Sequence, residues 1–381
     1  MISKQFTLIT GFFVLLKLYQ FTLVSLVPSQ FDLSNVHYQE PEFPYNVIYR
    51  TISWDNAYFK QLFQTGPRYE HEFVFGPLWW RLISMVNKGL SSVAWNNPDP
   101  YITAMAISNG LQLTNALILY KTTKLLFPRQ DSRKPLLTAL VFLLNPMGIF
   151  GSVPYSENLC CFFSFVAIYL REISVLNNNK HNTYIISALF ASLALWTRSN
   201  AVVLGLMYFM DFVRLKDQLY RTAFISGFVM FLSIVAYNYL PYSEFCITKE
   251  SRPWCSSTIP SLFTYMQTER WNNGFLKYWT PNNIPNFLFA LPTIILLSQA
   301  SLHFIKDGKH LDLGLMAALF TLMIVFFANV QIIVRISSFI PITHWFVADE
   351  ILQKRGYVWI VYFFVWISVQ TVLFAAFLPP A

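Results

Sequence analysis

Charge is what this chain has least of. Only 12% of its 381 residues are Asp, Glu, Lys or Arg, against about 25% in an ordinary soluble domain. A soluble core of this size needs a polar skin, and the chain has too few polar groups to make one. The shortage excludes a conventional water-soluble enzyme and leaves lipid as the solvent for much of the surface. Cysteine is also scarce. There are four, and none has the spacing of a zinc site. Repeats of fixed period and low-complexity tracts are absent. The net charge of +8 is modest and lies in short clusters between apolar runs. That pattern suits topology control and not nucleic-acid binding.

What is abundant is apolar and aromatic: 55% hydrophobic residues, 18% Phe, Trp or Tyr. Residues 5–27 form a first apolar run, too long for a signal peptide and without a small-residue cleavage site before Pro28, so they are expected to stay as an anchor. Further segments are predicted near 101–120, 136–151, 155–170, 184–196, 201–213, 222–240, 284–304, 312–330, 336–350 and 357–378. That makes about eleven membrane segments in an all-α, multi-pass chain, read as one membrane-embedded domain over residues 1–381. The pieces 184–196 and 201–213 are too short to cross alone. They are predicted to form a re-entrant or broken pair, which requires burial in protein or a water-filled cavity. The basic turns (Lys4, the 121–134 cluster, Arg171 with Lys180, Arg214 with Lys216 and Arg221, Lys306 with Lys309, Lys354 with Arg355) fall on one face. The positive-inside tendency makes that face cytoplasmic.

Two long polar loops, 28–100 and 241–283, then share the opposite face with the turn PYSEN. The first contains RTISWDNAYFKQLFQTGPRYEHEFVFGPL, the stretch richest in chemistry. Trp54 supplies a rigid apolar wall beside Asp55, suited to desolvating a carboxylate and raising its basicity. Without that context Asp55 is an inert solvated side chain. Glu70 and His71 either cap a turn or hydrogen-bond an acceptor sugar. A metal on Asp55 and His71 lacks enough ligands to propose. FVFGPLWWRLISMVNKGLSS has helical spacing and is expected to lie along the membrane surface with Trp79 and Trp80 at headgroup level, or to form a small packed cap.

Glu157 either stabilises a helix N-terminus or meets a sugar hydroxyl. Arg198 and Arg335 lie in or beside apolar segments, where a charge marks a substrate path or an internal ion pair. A lipid phosphate suits guanidinium, and Glu157 or Asp211 is the competing partner. Trp254, Gln267, Arg270, Trp271, Lys277, Tyr278 and Trp279 combine aromatic faces with hydrogen-bonding groups, as sugar recognition or an interfacial belt would require. Cys246 and Cys255 are either bridged or two free thiols. Cys160 and Cys161 read as packing residues.

In order, SWDNAYF, YEHEFVFGPL, SVPYSEN, WTRSN, the FC…PWC…P…Y…Q…W spacing at 245–271, GFLKYWTPNNIPNFLFALP and VQIIVRISSFIP resemble the glycosylphosphatidylinositol (GPI) mannosyltransferase 2 family, in its fungal form. The matches run from about residue 50 to 345. The resemblance implies a GT-C glycosyltransferase of the endoplasmic reticulum membrane. Its luminal loops would carry interfacial helices, and its first long loop would be catalytic. Such an enzyme moves mannose from dolichyl-phosphate mannose, a substrate and not a cofactor, onto the first mannose of a lipid-linked anchor precursor in α-1,6 linkage. The family's Trp-Asp pair maps onto Trp54 and Asp55. Tyr58 stands where many relatives have histidine, which puts more weight on Asp55. The resemblance also implies a small accessory membrane subunit. Another dolichyl-phosphate-sugar transferase, and a lipid transporter, are the alternatives.

Overall fold

The structure is a computed structural model that describes residues 2–31, 45–93, 98–177, 181–214, 219–247 and 252–380. Lys180 and Lys216, expected in basic turns, lie outside the described residues. Every regular element among the described residues is helical, and each of the eleven predicted segments falls on a helix or a bent helix pair. Among the described residues six helices are long and apolar enough to cross a bilayer alone: Lys4–Leu26, Pro100–Leu126, Glu157–Leu176, Leu219–Ile247, Pro281–Asp307 and Tyr357–Ala375. A seventh crossing is available if Val330–Phe339 and Pro341–Leu352, bent by 83°, count as one. The rest are shorter. The segment expected over 136–151 is helical only over Lys134–Leu143. Asn145–Pro146 stops it, because proline lacks an N–H and disfavours a helical residue before it.

Packing divides the described chain into two compact units. The first comprises Met1–Gly66, Trp80–Asn158 and Val334–Ala381; the second comprises Pro67–Trp79 and Leu159–Ile333.

The first unit is organised around a stretch of non-α backbone. Residues 144–156 hold only a single 3-10 turn, Gly148–Gly151, yet all of them are buried. A buried loop must find partners for its backbone groups, and here side chains from the surrounding helices provide them. Gln370 accepts from the N–H of Ile149 at 3.1 Å and donates to the carbonyl of Pro146 at 3.3 Å. Asn109 donates to the Ser152 carbonyl at 2.8 Å, and Asn158 to the Gly151 carbonyl at 2.9 Å. Lys17, buried on the first helix, donates to Ser152 Oγ at 2.5 Å, and Ser152 donates on to Gln20 at 2.7 Å. Gly148 has φ +53°, and a Cβ there would lie 2.1 Å from Gln370 Oε1. Only glycine tolerates that conformation and that approach.

The second unit has a different internal tie. Arg171 was expected in a solvated basic turn; it is buried instead. Its Nε and Nη2 donate to Asp211 at 2.8 and 2.5 Å, and Nη1 pairs with Asp312 at 2.6 Å and with Glu172. Tyr184 adds a hydrogen bond to Asp211 at 2.5 Å. One guanidinium thus joins three carboxylates on the helices Glu157–Leu176, Gly205–Arg214 and Leu311–Phe327. Asp211 is therefore not the partner of Arg198 or Arg335. In the Pro77–Val93 helix Trp79 and Trp80 are 0% and 8% exposed, which fits the packed cap and not side chains open at headgroup level.

Replacing Arg171 with Met should leave three buried carboxylates without their cation and cost about 3–5 kcal/mol. The check is the thermal unfolding midpoint in detergent, and an unchanged midpoint contradicts the assignment.

Candidate active site

Asp55 opens the helix Asp55–Thr65, where a negative charge meets the positive end of the helix dipole. The preceding turn is pinned to the helix Pro100–Leu126. Tyr101 donates to the Thr51 carbonyl at 2.9 Å, and Ile52 packs with Tyr101 and Met105. Asn56 returns a hydrogen bond to the Thr51 carbonyl at 2.7 Å. Trp54 takes φ +58°, a strained conformation for a bulky residue that persists only when its surroundings enforce it. They do: its indole N–H donates to the Leu378 carbonyl at 3.2 Å, and its ring packs on Phe377 at 5.4 Å. Asp55 therefore projects from a fixed backbone, with its side chain about one-third exposed at 34%.

Arg335 meets it. Nη1 and Nη2 both donate to Asp55 Oδ2 at 3.3 Å, and Nε faces Glu157 Oε1 at 3.7 Å. The guanidinium also sits over the rings of Phe150 and Tyr155, at 5.0 and 5.2 Å. Its position follows from the break at Pro341, which ends one short helical run and starts another. His344 donates to the Ser338 carbonyl at 3.0 Å and Ser338 to the Arg335 carbonyl at 3.1 Å, so the broken backbone is satisfied. Glu157, the first residue of its helix, is 1% exposed. Three residues singled out for separate reasons in the sequence (Asp55, Glu157 and Arg335) therefore form one cluster. Both competing readings of Arg335 bear on it: it is an internal ion pair, and it keeps donors to spare.

Tyr155 was not singled out, and it belongs here. Its ring makes edge contacts with Phe150 at 4.9 Å and Phe59 at 5.5 Å. Phe59 is on the same face as Asp55, four residues along the helix. Burial, and after it the charge of Asp55, hold the phenol well above its ordinary range. The only sequence signal was its place in PYSEN.

The remaining candidates fall in the second unit. Glu70 starts a 3-10 turn, pairs with Arg252 Nε at 3.3 Å and accepts a long bond from the Trp254 indole at 3.5 Å. His71 stacks on Tyr69 at 5.7 Å. The turn's own brace is Glu72, which the sequence reading missed; it is fully buried and accepts from the N–H groups of Arg68 and Tyr69 at 2.5 and 3.0 Å. Trp254 is 2% exposed, in a small core with Phe245, Leu262 and Met266. It is thus packing and not an open sugar platform. Cys246 and Cys255 are joined as a disulfide beside that core, with Cα atoms 5.7 Å apart.

Arg198 marks the break between His181–Thr197 and Ser199–Leu204. Gly76 comes against this break. Its φ is +63°, and a Cβ would lie 1.9 Å from the Thr197 carbonyl oxygen. Gln267 accepts from Asn273 at 2.6 Å and braces its loop, and Lys277 is exposed. Among the described residues no group of three His, Cys, Asp or Glu side chains gathers as a metal site.

The family profile described as Mannosyltransferase (PIG-V) matches residues 7–318 and 313–381. The chain belongs to the PIG-V mannosyltransferase family. Among relatives named GPI mannosyltransferase 2, the protein of Candida albicans is 34% identical, with 97% of this chain and 98% of the relative covered. That of Saccharomyces cerevisiae is 34% identical over 98% and 99%, and that of Yarrowia lipolytica 33% over 99% and 100%. For a member of this family, the Asp55–Arg335–Glu157 cluster is the candidate centre in the first unit.

Two outcomes are expected. Arg335→Lys keeps the charge but loses the planar fork that reaches Asp55 and Glu157 together; mannosyl transfer in microsomes should fall by roughly tenfold or more, about 1.4 kcal/mol. Cys255→Ser should lower stability by about 2–4 kcal/mol, read as the thermal midpoint under non-reducing conditions.

Proposed function

We propose that this protein transfers mannose from dolichyl-phosphate mannose to the first mannose of the GPI-anchor precursor, in α-1,6 linkage, on the luminal side of the endoplasmic reticulum membrane. The observation that carries the site is Asp55: a partly exposed carboxylate whose Oδ2 is anchored by Arg335 and whose Oδ1 makes no hydrogen bond among the described residues. Full-length similarity to proteins named GPI mannosyltransferase 2 supports the substrate class. We read the chain as one GT-C catalytic domain, its shorter apolar helices completing about eleven membrane segments, and working with a small accessory membrane subunit.

The chemistry asks little of the protein. The donor carries β-linked mannose, so forming an α bond inverts the anomeric carbon in one in-line displacement. The acceptor's O6–H bond breaks, with the proton passing to Asp55 Oδ1. O6 then bonds to the mannose C1, and the C1–O bond to phosphate breaks with its electron pair going to phosphate. Phosphate is a good leaving group, so the second carboxylic acid that glycosidases use is not needed. One base and one cation suffice. A guanidinium has five N–H groups. In Arg335 two reach Asp55 and one faces Glu157, which leaves two for a phosphate oxygen. Glu157 pairs with that guanidinium through Nε. Substrate-binding roles for Glu70, His71, Arg198, Gln267 and Lys277 are part of the same proposal. The reaction as drawn uses no metal and no cofactor.

Asp55→Asn should reduce transfer by about 10²–10⁴-fold, the usual worth of a positioned base; near-normal transfer in microsomes removes Asp55 from that role. Depletion of the protein should accumulate a precursor lipid carrying one mannose, identified by mass spectrometry, and a different intermediate redirects the acceptor. Chelator should leave activity unchanged. Loss restored by manganese contradicts the metal-free scheme.

A further inference from the structure

The Tyr155 hydroxyl is buried and makes no hydrogen bond among the described residues, and its ring lies 5.2 Å from the Arg335 guanidinium that holds Asp55. A buried polar atom without a partner is uncommon and costly, and it calls for a reason. Packing alone does not give one. Phenylalanine would make the same ring contacts with Phe59, Phe150, Phe374 and the Arg335 guanidinium.

The hold of Arg335 on Asp55 suggests what the hydroxyl is for. Both N–H groups converge on a single oxygen, and both bonds are 3.3 Å long. Well-made charge-assisted bonds are about 2.7–2.9 Å. The pair is therefore loose, and a phosphate that takes the two spare N–H groups draws the guanidinium toward itself and away from Asp55. Asp55 would then keep its charge beside aromatic walls with fewer donors, and an unanchored base is a poorly aimed one.

We propose that Tyr155 is a positioning residue whose hydroxyl donates to the Asp55 carboxylate once substrate phosphate draws on Arg335. The inference rests on the reading of Asp55 as the base. The charged and titratable groups around the phenol are Asp55 on the Asp55–Thr65 helix, Glu157, Arg335 and Tyr101. Arg335 is the only cation among them, so it is the donor whose departure leaves the carboxylate in need. Buried as it is, the phenol stays protonated and can donate.

The test is Tyr155→Phe, assayed with purified enzyme in lipid beside Asp55→Asn. The expected result is a kcat lower by about tenfold to a hundredfold, the range for a hydrogen bond to a charged group. KM for both lipid substrates should hardly change, and the thermal midpoint should equal or exceed that of the parent. A parental kcat overturns the proposal. So does a raised donor KM at parental kcat, which would put the hydroxyl on the substrate, and so does a lowered thermal midpoint, which would make it structural. If Asp55→Asn is inactive while Tyr155→Phe is normal, only this inference fails. If Asp55→Asn is itself active, the reading of the base fails first.

Discussion

The first unit depends on satisfying a loop that is buried along its whole length. Residues 144–156 are buried, yet only four of them form a regular turn. Every backbone group in such a segment needs a partner, at a cost of about 1–3 kcal/mol for each one left unpaired. Gln370, Asn109, Asn158 and Lys17 meet that need from four different helices. This explains why amides and a lysine occur within apolar helices that otherwise have every reason to avoid them. Their role is to let a bend exist where a helix would be the easier solution.

The bend carries the cluster. Phe150 and Tyr155 lie in or at the end of it and support the Arg335 guanidinium, while Glu157 follows as the first residue of the next helix. Arg335 is held by two carboxylates and two rings at once. A partly buried ion pair of this kind is weak evidence for stability, because desolvation offsets much of the attraction. Its worth is in aim. It holds Asp55 by one oxygen, while the strained Trp54 backbone fixes where the side chain starts.

Much of this was legible in the sequence, and the limits have physical causes. Apolar run length pointed to stretches that fall on helices, six of them among the described residues long and apolar enough to cross a bilayer. It misjudged how far the run at 136–151 stays helical, because an apolar loop and an apolar helix look alike until Asn145–Pro146 is given its weight. Asp55, Glu157 and Arg335 were each visible as ionisable groups in unusual company, but their meeting joins residues up to 280 positions apart, and spacing carries no record of that. Tyr155 and Glu72 were hidden among many similar residues. Arg171 looked like a solvated topology signal because the sequence does not say which way a helix face turns. Trp254 was misread for a related reason: an aromatic in a polar loop is as able to found a small core as to face a ligand.

The strap around Trp54 has a practical side. Its indole and ring are gripped by Leu378 and Phe377, the latter itself at φ +58°. A reporter or purification handle joined just after that strap becomes a lever on the residue next to Asp55. The exposed turn at 128–133 is the safer place for one.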